Sequence, residues 1–113
     1  MTTKPVRFGL MDMLSVGRQA LHLMHRLDAE DGERVLLELS IERLMITFGE
    51  AAGQLPKSLL DREPSVAWSG ITGLRHVLVH DYDEVDEYRL MAAVRVSRPE
   101  AVAAIERLLA EET

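Results

Sequence analysis

The chain has 113 residues, 47% of them hydrophobic, and a net charge of −6. This length suits one domain over residues 1–113, and the acidic balance argues against nonspecific coating of nucleic acid, which needs a basic surface. Cysteine is absent, which excludes disulfides, thiol catalysis and cysteine zinc sites. No apolar run reaches the roughly 20 residues of a membrane span, and no secretory signal is evident. We therefore expect a soluble, cytoplasmic protein.

The first half of the chain predicts two long helices. Apolar residues recur at helical spacing over about residues 6–27 and again over about 33–52. An acidic turn with a glycine separates the two segments, and Gly53 and Pro56 end the second. The positions expected to face the core are Leu10, Met13, Leu14, Gly17, Leu21, Met24, Leu27, Leu37, Ile41, Leu44, Phe48 and Ala51.

The second half is more broken. A short turn or helix is predicted over 57–62, followed by a longer helix from near Ser65. After an acidic segment the helical pattern resumes, and a separate last helix is expected near Ser97, because Pro99 suits a first helical turn and Glu100 completes a capping box. The fold class expected is all-α: an antiparallel bundle of four long helices plus a short helix.

Residues 73–82 concentrate the side chains that carry chemistry. Their apolar stretch, Val77-Leu78-Val79, is expected to face the core, which leaves the polar groups at the helix edge and in the loop after it. An RNA phosphodiester breaks without a metal when the neighbouring 2′-hydroxyl attacks the phosphorus, with a base and an acid moving the protons. Histidine, with an ordinary pKa of about 6.5, serves in either role, and arginine binds the charged phosphate oxygens. The polar residues here are Arg75, His76, His80, Asp81 and Tyr82.

The arginine and the second histidine do not share a face of an ideal helix. Arg75 and His80 are five positions apart, which places them about 140° apart around the axis. If the helix ends near His80, the loop can turn the histidine back towards the arginine. A symmetric dimer would also bring two such pairs to one cleft and supply both an acid and a base.

The spacing of Arg75, His80 and Tyr82 resembles the HEPN superfamily, and most closely its HepT subfamily. In that subfamily an arginine is followed after four residues by a histidine and, after one more, by a tyrosine. The helical layout is also similar: two long helices, a break, the motif helix and a C-terminal pair. Further similarity lies in the residues that lead into the motif, which are Trp68, Ile71, Gly73 and Leu74.

The resemblance implies a metal-independent endoribonuclease toxin of a type VII toxin–antitoxin system, with no cofactor. His80 would act on the 2′-hydroxyl or the leaving group, and Arg75 would hold the scissile phosphate. His76, where the family usually has asparagine, would support them. Tyr82 would receive AMP from a cognate minimal nucleotidyltransferase antitoxin, and this bulky anion would block the cleft. The implied partners are an RNA substrate, that antitoxin and a second copy in a homodimer, which in some members assembles further.

Simpler interpretations of the same residues stay open. Arg75 and His80 suit a helix C-terminus, where cations are favoured, and Tyr82 suits a packed core. His76 and His80 have the i, i+4 spacing of zinc ligands, although no third ligand is evident beyond Asp81 or Asp83. The acidic run 81–87 suits a solvated helix start and would repel RNA in a cleft. The alternative functions are a non-catalytic HEPN module that binds nucleotide or substrate for a partner nucleotidyltransferase, and a structural dimerisation domain.

Overall fold

The computed structural model describes residues 4–80 and 86–111, and within these ranges it contains helices and no strand. The all-α prediction of four long helices and one short helix is therefore confirmed. None of the described helices has the length and apolarity that a membrane crossing needs. The helices are α1 (Lys4–Asp28), α2 (Arg34–Gln54), α3 (Lys57–Leu60), α4 (Trp68–His80) and α5 (Glu87–Glu111).

The long N-terminal helices begin and end within two residues of the predicted positions. Their apolar spacing sets these bounds, because each helix buries one continuous face. Among the side chains predicted to face inward, Leu14, Leu21, Leu44 and Ala51 are only half-buried. Among the described residues, the largest apolar side chains that are fully buried are Leu10, Met13, Ile41, Met45, Phe48, Val94, Ile105 and Leu108.

Helix α1 packs against both α2 and α5. Ion pairs at its C-terminal end and in its middle show that it runs antiparallel to α5. Asp28 accepts a hydrogen bond of 2.9 Å from Nε of Arg95, and Arg18 lies 3.6 Å from the carboxylate of Glu106. The C-terminal end of α1 thus meets the first half of α5, and its middle meets the second half.

The three helices approach one another closely at Gly17. A Cβ atom at this position would lie 2.7 Å from Cγ2 of Val102 on α5 and 3.1 Å from the ring of Phe48 on α2. Both distances are shorter than ordinary van der Waals contact, so the packing requires glycine here despite its low helix propensity.

The predicted C-terminal pair of helices is wrong, because α5 continues without a break from Glu87 to Glu111 with Pro99 inside it. Ser97 does not cap a new helix, since its hydroxyl donates to the carbonyl of Ala93 at 2.7 Å, one turn earlier. Proline removes the hydrogen bond to the carbonyl of Arg95, but both residues lie on the exposed side of α5, where water can satisfy that carbonyl. The buried residues Ala101 and Val102 hold the following turn in the helix.

The motif helix also differs from its prediction. α4 begins at Trp68 rather than near Ser65. Of the stretch expected to face the core, only Leu78 is buried, whereas Val77 and Val79 are 36% and 43% exposed. The reason is that α4 packs mainly on α2, so it buries a narrow stripe rather than three consecutive residues.

Candidate functional site

The position of Arg75 is set by a close contact between α4 and α2. A Cβ atom at Gly49 of α2 would lie 2.5 Å from Cβ of Arg75 and 2.9 Å from the carbonyl oxygen of Ile71. The two helix backbones can approach this closely only because position 49 has no side chain. The stem of Arg75 is consequently held against α2, and the residue is half-buried.

The Arg75 guanidinium has unused capacity to donate hydrogen bonds. Its Nε is buried, and no described residue accepts a hydrogen bond from it. A buried donor without a partner costs free energy, and a charged one costs more than a neutral one. This guanidinium is therefore well suited to bind an anion, which would fill the vacant donor.

The two histidines of the motif lie together at the exposed C-terminal end of α4. The ring centroids of His76 and His80 are 4.6 Å apart and the rings are tilted by 45°. Neither ring is buried, so both are accessible to a substrate. Two imidazoles at this separation can supply a proton acceptor and a proton donor to one reacting group.

The structure brings together the two histidines but does not join them to the arginine. No hydrogen bond or ion pair between described residues links Arg75 to His80. Arg75 packs against α2, whereas the imidazole pair faces outwards, as expected for residues on different sides of one helix. The chain thus presents the arginine and the two histidines on adjacent faces of the C-terminal half of α4.

The described residues offer no third ligand for a zinc site at His76 and His80. His76 and His80 are adjacent, but no group of three or more potential ligands occurs in residues 4–80 and 86–111. Asp81 and Asp83, the ligands considered from the sequence, lie outside the described residues, and so does Tyr82, the predicted site of modification.

The acidic segment before α5 only partly follows its prediction as a solvated helix start. Asp86 fits it, since this exposed residue accepts hydrogen bonds from the backbone N–H groups of Tyr88 and Arg89 at 3.0 and 3.3 Å. Glu87 differs, because its Oε2 is buried and has no hydrogen-bond partner among the described residues.

Glu42 of α2 was not identified from the sequence. It is 5% exposed. Burial, followed by the neighbouring carboxyl of Glu87, raises the pKa of Glu42 to about 7. The available signal was its spacing, three residues before Met45 and seven before Gly49, which places a carboxyl on the buried face of α2.

Arg98 of α5 was also missed, because Ser97 to Glu100 looked like a helix start. Arg98 is 2% exposed. Its Nε donates to Sδ of Met45 at 2.8 Å, and its guanidinium carbon lies 5.2 Å from the ring centroid of Phe48. Burial lowers the pKa of Arg98 to about 10, so the side chain is still protonated at neutral pH.

Comparison with known proteins identifies similar chains. The family model described as "Ribonuclease HepT-like" matches residues 17–108. "Putative RNase MJ0125" of Methanocaldococcus jannaschii is 22% identical over 110 residues, which cover 96% of this chain and 95% of that protein. "Putative RNase TTE0752" of Caldanaerobacter subterraneus is 27% identical over 77 residues, which cover 68% and 69% of the two chains. No solved structure matches.

Proposed function

Because the chain belongs to the HepT-like ribonuclease family, we propose that it is a metal-independent endoribonuclease with Arg75 and His80 as its catalytic residues. The observation that carries the proposal is the placement of a half-buried guanidinium with a vacant donor on the same helix end as two exposed imidazoles. These are the groups that phosphodiester cleavage by a 2′-hydroxyl needs.

The proposed reaction is an internal displacement at phosphorus. His80 accepts the proton of the 2′-hydroxyl, the 2′-oxygen forms a bond to phosphorus, and the bond from phosphorus to the 5′-oxygen breaks. A protonated imidazole donates a proton to that leaving oxygen. Arg75 binds the non-bridging oxygens, where negative charge develops. The products are a 2′,3′-cyclic phosphate and a 5′-hydroxyl, and no metal or water enters this step.

Two residues are candidates for the acid that protonates the leaving oxygen. His76 lies beside His80 in the same protomer, and a second copy related by two-fold symmetry would bring its own Arg75 and His80 to a shared cleft. We favour a homodimer, because Arg75 and His80 of one protomer lie on adjacent faces and a partner's residues would complete both halves of the site.

Regulation is proposed to act through Tyr82. In the toxin–antitoxin arrangement, a minimal nucleotidyltransferase would transfer AMP from ATP to the phenolic oxygen, forming a phosphodiester, while pyrophosphate leaves and the phenolic proton is released. Two residues span at most about 7 Å of chain, so an AMP group on Tyr82 would be held next to His80. Its bulk and negative charge would then exclude an RNA phosphate from the site.

The catalytic proposal is tested by RNA cleavage in the presence of EDTA. The purified protein is expected to cleave RNA, and His80→Ala is expected to lower the rate by roughly 100-fold or more, as is typical for loss of a general acid or base. His25→Ala is the matched control, because His25 is an exposed histidine on α1 and not on the motif helix. Equal activity of His80→Ala and the control would contradict the proposal and would leave the non-catalytic module as the function.

The regulatory proposal is tested by the intact mass of the protein produced alone and together with the transferase encoded beside it. Co-production is expected to add one or more AMP masses and to abolish cleavage, and Tyr82→Phe is expected to prevent both effects. Tyr88→Phe is the control, since Tyr88 is 80% exposed and the chain has two tyrosines. An unchanged mass in every combination, or AMP on Tyr88 instead, would refute this mode of regulation.

A further inference from the structure

A groove of about 400 Å³ lies between the N-terminal half of α4 and the middle of α5. Its size falls in the range of small-molecule sites, about 300–1,000 Å³. Its lining is mostly small and apolar, and it includes Arg98. The main lining residues are Gly70, Ile71 and Leu74 of α4 and Ala93, Ser97 and Arg98 of α5.

The guanidinium of Arg98 is held in place, but one of its donors has no hydrogen-bond partner. Met45 and Phe48 hold Arg98 from the α2 side, through the contacts of Nε with sulfur and of the cation with the ring. The opposite edge is vacant: Nη1 is buried and no described residue accepts a hydrogen bond from it. No carboxylate in the described part of the chain pairs with this cation. This cation lost its hydrating water when the chain folded. A ligand with acceptors would therefore gain a charge-assisted hydrogen bond without a further desolvation cost at Arg98.

The groove begins next to the proposed phosphate-binding residue. Leu74 immediately precedes Arg75, and Ile71 lies one helical turn before it, about 6 Å along the axis. Ile71 is also one of the two α4 residues whose atoms approach Gly49. A nucleotide adjacent to a phosphate bound at Arg75 would therefore reach this groove.

We propose that the groove binds the base of a nucleotide next to the scissile phosphate and selects guanine, with Arg98 donating to O6 and N7. The inference rests on the proposed ribonuclease function and names the part of the RNA that the site would recognise. A guanidinium has five donors and no acceptor, so it matches the two neighbouring acceptors on this edge of guanine. The apolar walls match the flat faces of a base.

A base suits this groove better than a phosphate or an acidic protein segment. A phosphate has no apolar face to place against Ile71 and Leu74. A carboxylate would carry its charge out of water into the groove, whereas the carbonyl and ring nitrogen of a base are neutral and cost less to bury.

The test measures binding without cleavage, so that it is independent of the nuclease activity. Hexanucleotides with 2′-O-methyl groups cannot undergo the internal displacement. The protein is expected to bind a hexamer with one guanine at least about tenfold more tightly than the same hexamer with adenine, which presents a donor at position 6. Replacing that guanine by 7-deazaguanine, which lacks the N7 acceptor, is expected to remove most of the preference.

The variants separate a base pocket from a general charge effect. Arg98→Met keeps the length of the side chain, should fold because loss of a buried unpaired cation is tolerated, and is expected to abolish the guanine preference. Ala93→Leu fills the groove from an exposed position and leaves Arg98 in place. It is also expected to abolish the guanine preference. Arg95→Met removes a cation from the same helix outside the groove and is expected to keep the preference.

Binding without a guanine preference, or a preference that survives Arg98→Met and Ala93→Leu, would overturn the inference. A change in sedimentation of the free protein on Arg98→Met, with no effect on guanine binding, would overturn it too and would assign the groove to a protein interface. Guanine-selective binding by a chain that never cleaves RNA would support the pocket while refuting the nuclease. The two proposals can therefore fail separately.

Discussion

Two positions on α2 determine the surroundings of the site at the scale of single residues. Gly49 allows Arg75 to lie against the helix because it has no side chain. Glu42 is a buried carboxyl beside Glu87, and its pKa is raised. Gly49 acts by leaving space for the neighbouring helix, and Glu42 acts by binding a proton in the folded chain. Each gives a prediction that a single substitution can test.

Gly49→Ala is expected to displace the motif helix. The new methyl group would lie 2.5 Å from Cβ of Arg75 and 2.9 Å from the carbonyl oxygen of Ile71, and backbone atoms cannot move as a flexible side chain can. We expect a loss of about 1–3 kcal/mol in the free energy of unfolding, measured with denaturant, and a lower rate of RNA cleavage.

Gly53→Ala is the matched control for this change. Its new methyl group would meet only Cγ2 of Thr72 at 3.8 Å, an ordinary contact, and alanine favours the helix. Stability should stay constant or rise by up to about 1 kcal/mol. If both variants behaved alike, the close approach at Gly49 would not be what positions Arg75.

Glu42→Gln is expected to stabilise the protein at neutral and alkaline pH. The pKa of Glu42 rises from its ordinary value of 4.5 to about 7 in the folded chain, first through burial and then through Glu87. Between these values the folded chain keeps a proton that the unfolded chain releases. The free energy of unfolding therefore falls as pH increases from about 4.5 to 7, and then levels off.

Glutamine needs no proton, so Glu42→Gln should remove this pH dependence and add on the order of 1–2 kcal/mol at pH 8. Denaturant unfolding at a series of pH values measures both effects. Glu50→Gln, at an exposed position of the same helix, is expected to leave the pH profile unchanged. A wild-type profile that rises between pH 5 and 7 would contradict the buried carboxyl pair.

At the scale of helices, α4 and α5 show how packing overrides local signals. The combination of Ser97, Pro99 and Glu100 is typical of a helix start, yet α5 passes through it because Ala101 and Val102 are buried against the bundle. Conversely, Val77 and Val79 are apolar but exposed, because α4 presents one face to α2 and the rest to solvent. In both helices, the contacts with the rest of the bundle determined the result, and the local sequence signal did not.

Pro99→Ala is expected to stabilise α5. Alanine restores the backbone N–H that can donate to the carbonyl of Arg95 and removes the steric conflict of the proline ring in a helix interior. We expect a gain of about 1 kcal/mol or more in unfolding free energy. A loss of stability would show that the proline does mark a helix start.

Pro64→Ala provides the comparison for this variant, because Pro64 lies in the turn before α4 rather than inside a helix. There proline restricts the unfolded chain, so alanine should cost about 0.4–1 kcal/mol. Opposite signs for the two prolines are the expected result in thermal or chemical unfolding.

At the scale of the whole molecule, the sequence was sufficient to predict the helical class and the two N-terminal helices. Periodicity shows which face of a helix is apolar, and the motif names Arg75 and His80 through residue type and spacing. Gly49, Glu42 and Arg98 could not be assigned this way, because their roles depend on which helix lies opposite them. Periodicity within one helix carries no information about that partner.

The product ends of RNA cleaved by the purified protein in EDTA test the central claim most directly. Mass spectrometry of the fragments is predicted to show 2′,3′-cyclic phosphate and 5′-hydroxyl ends, which are lost together in Arg75→Ala and His80→Ala. Fragments with 5′-phosphate ends, cleavage that requires an added metal, or unchanged products from both variants would contradict a 2′-hydroxyl attack at this helix end.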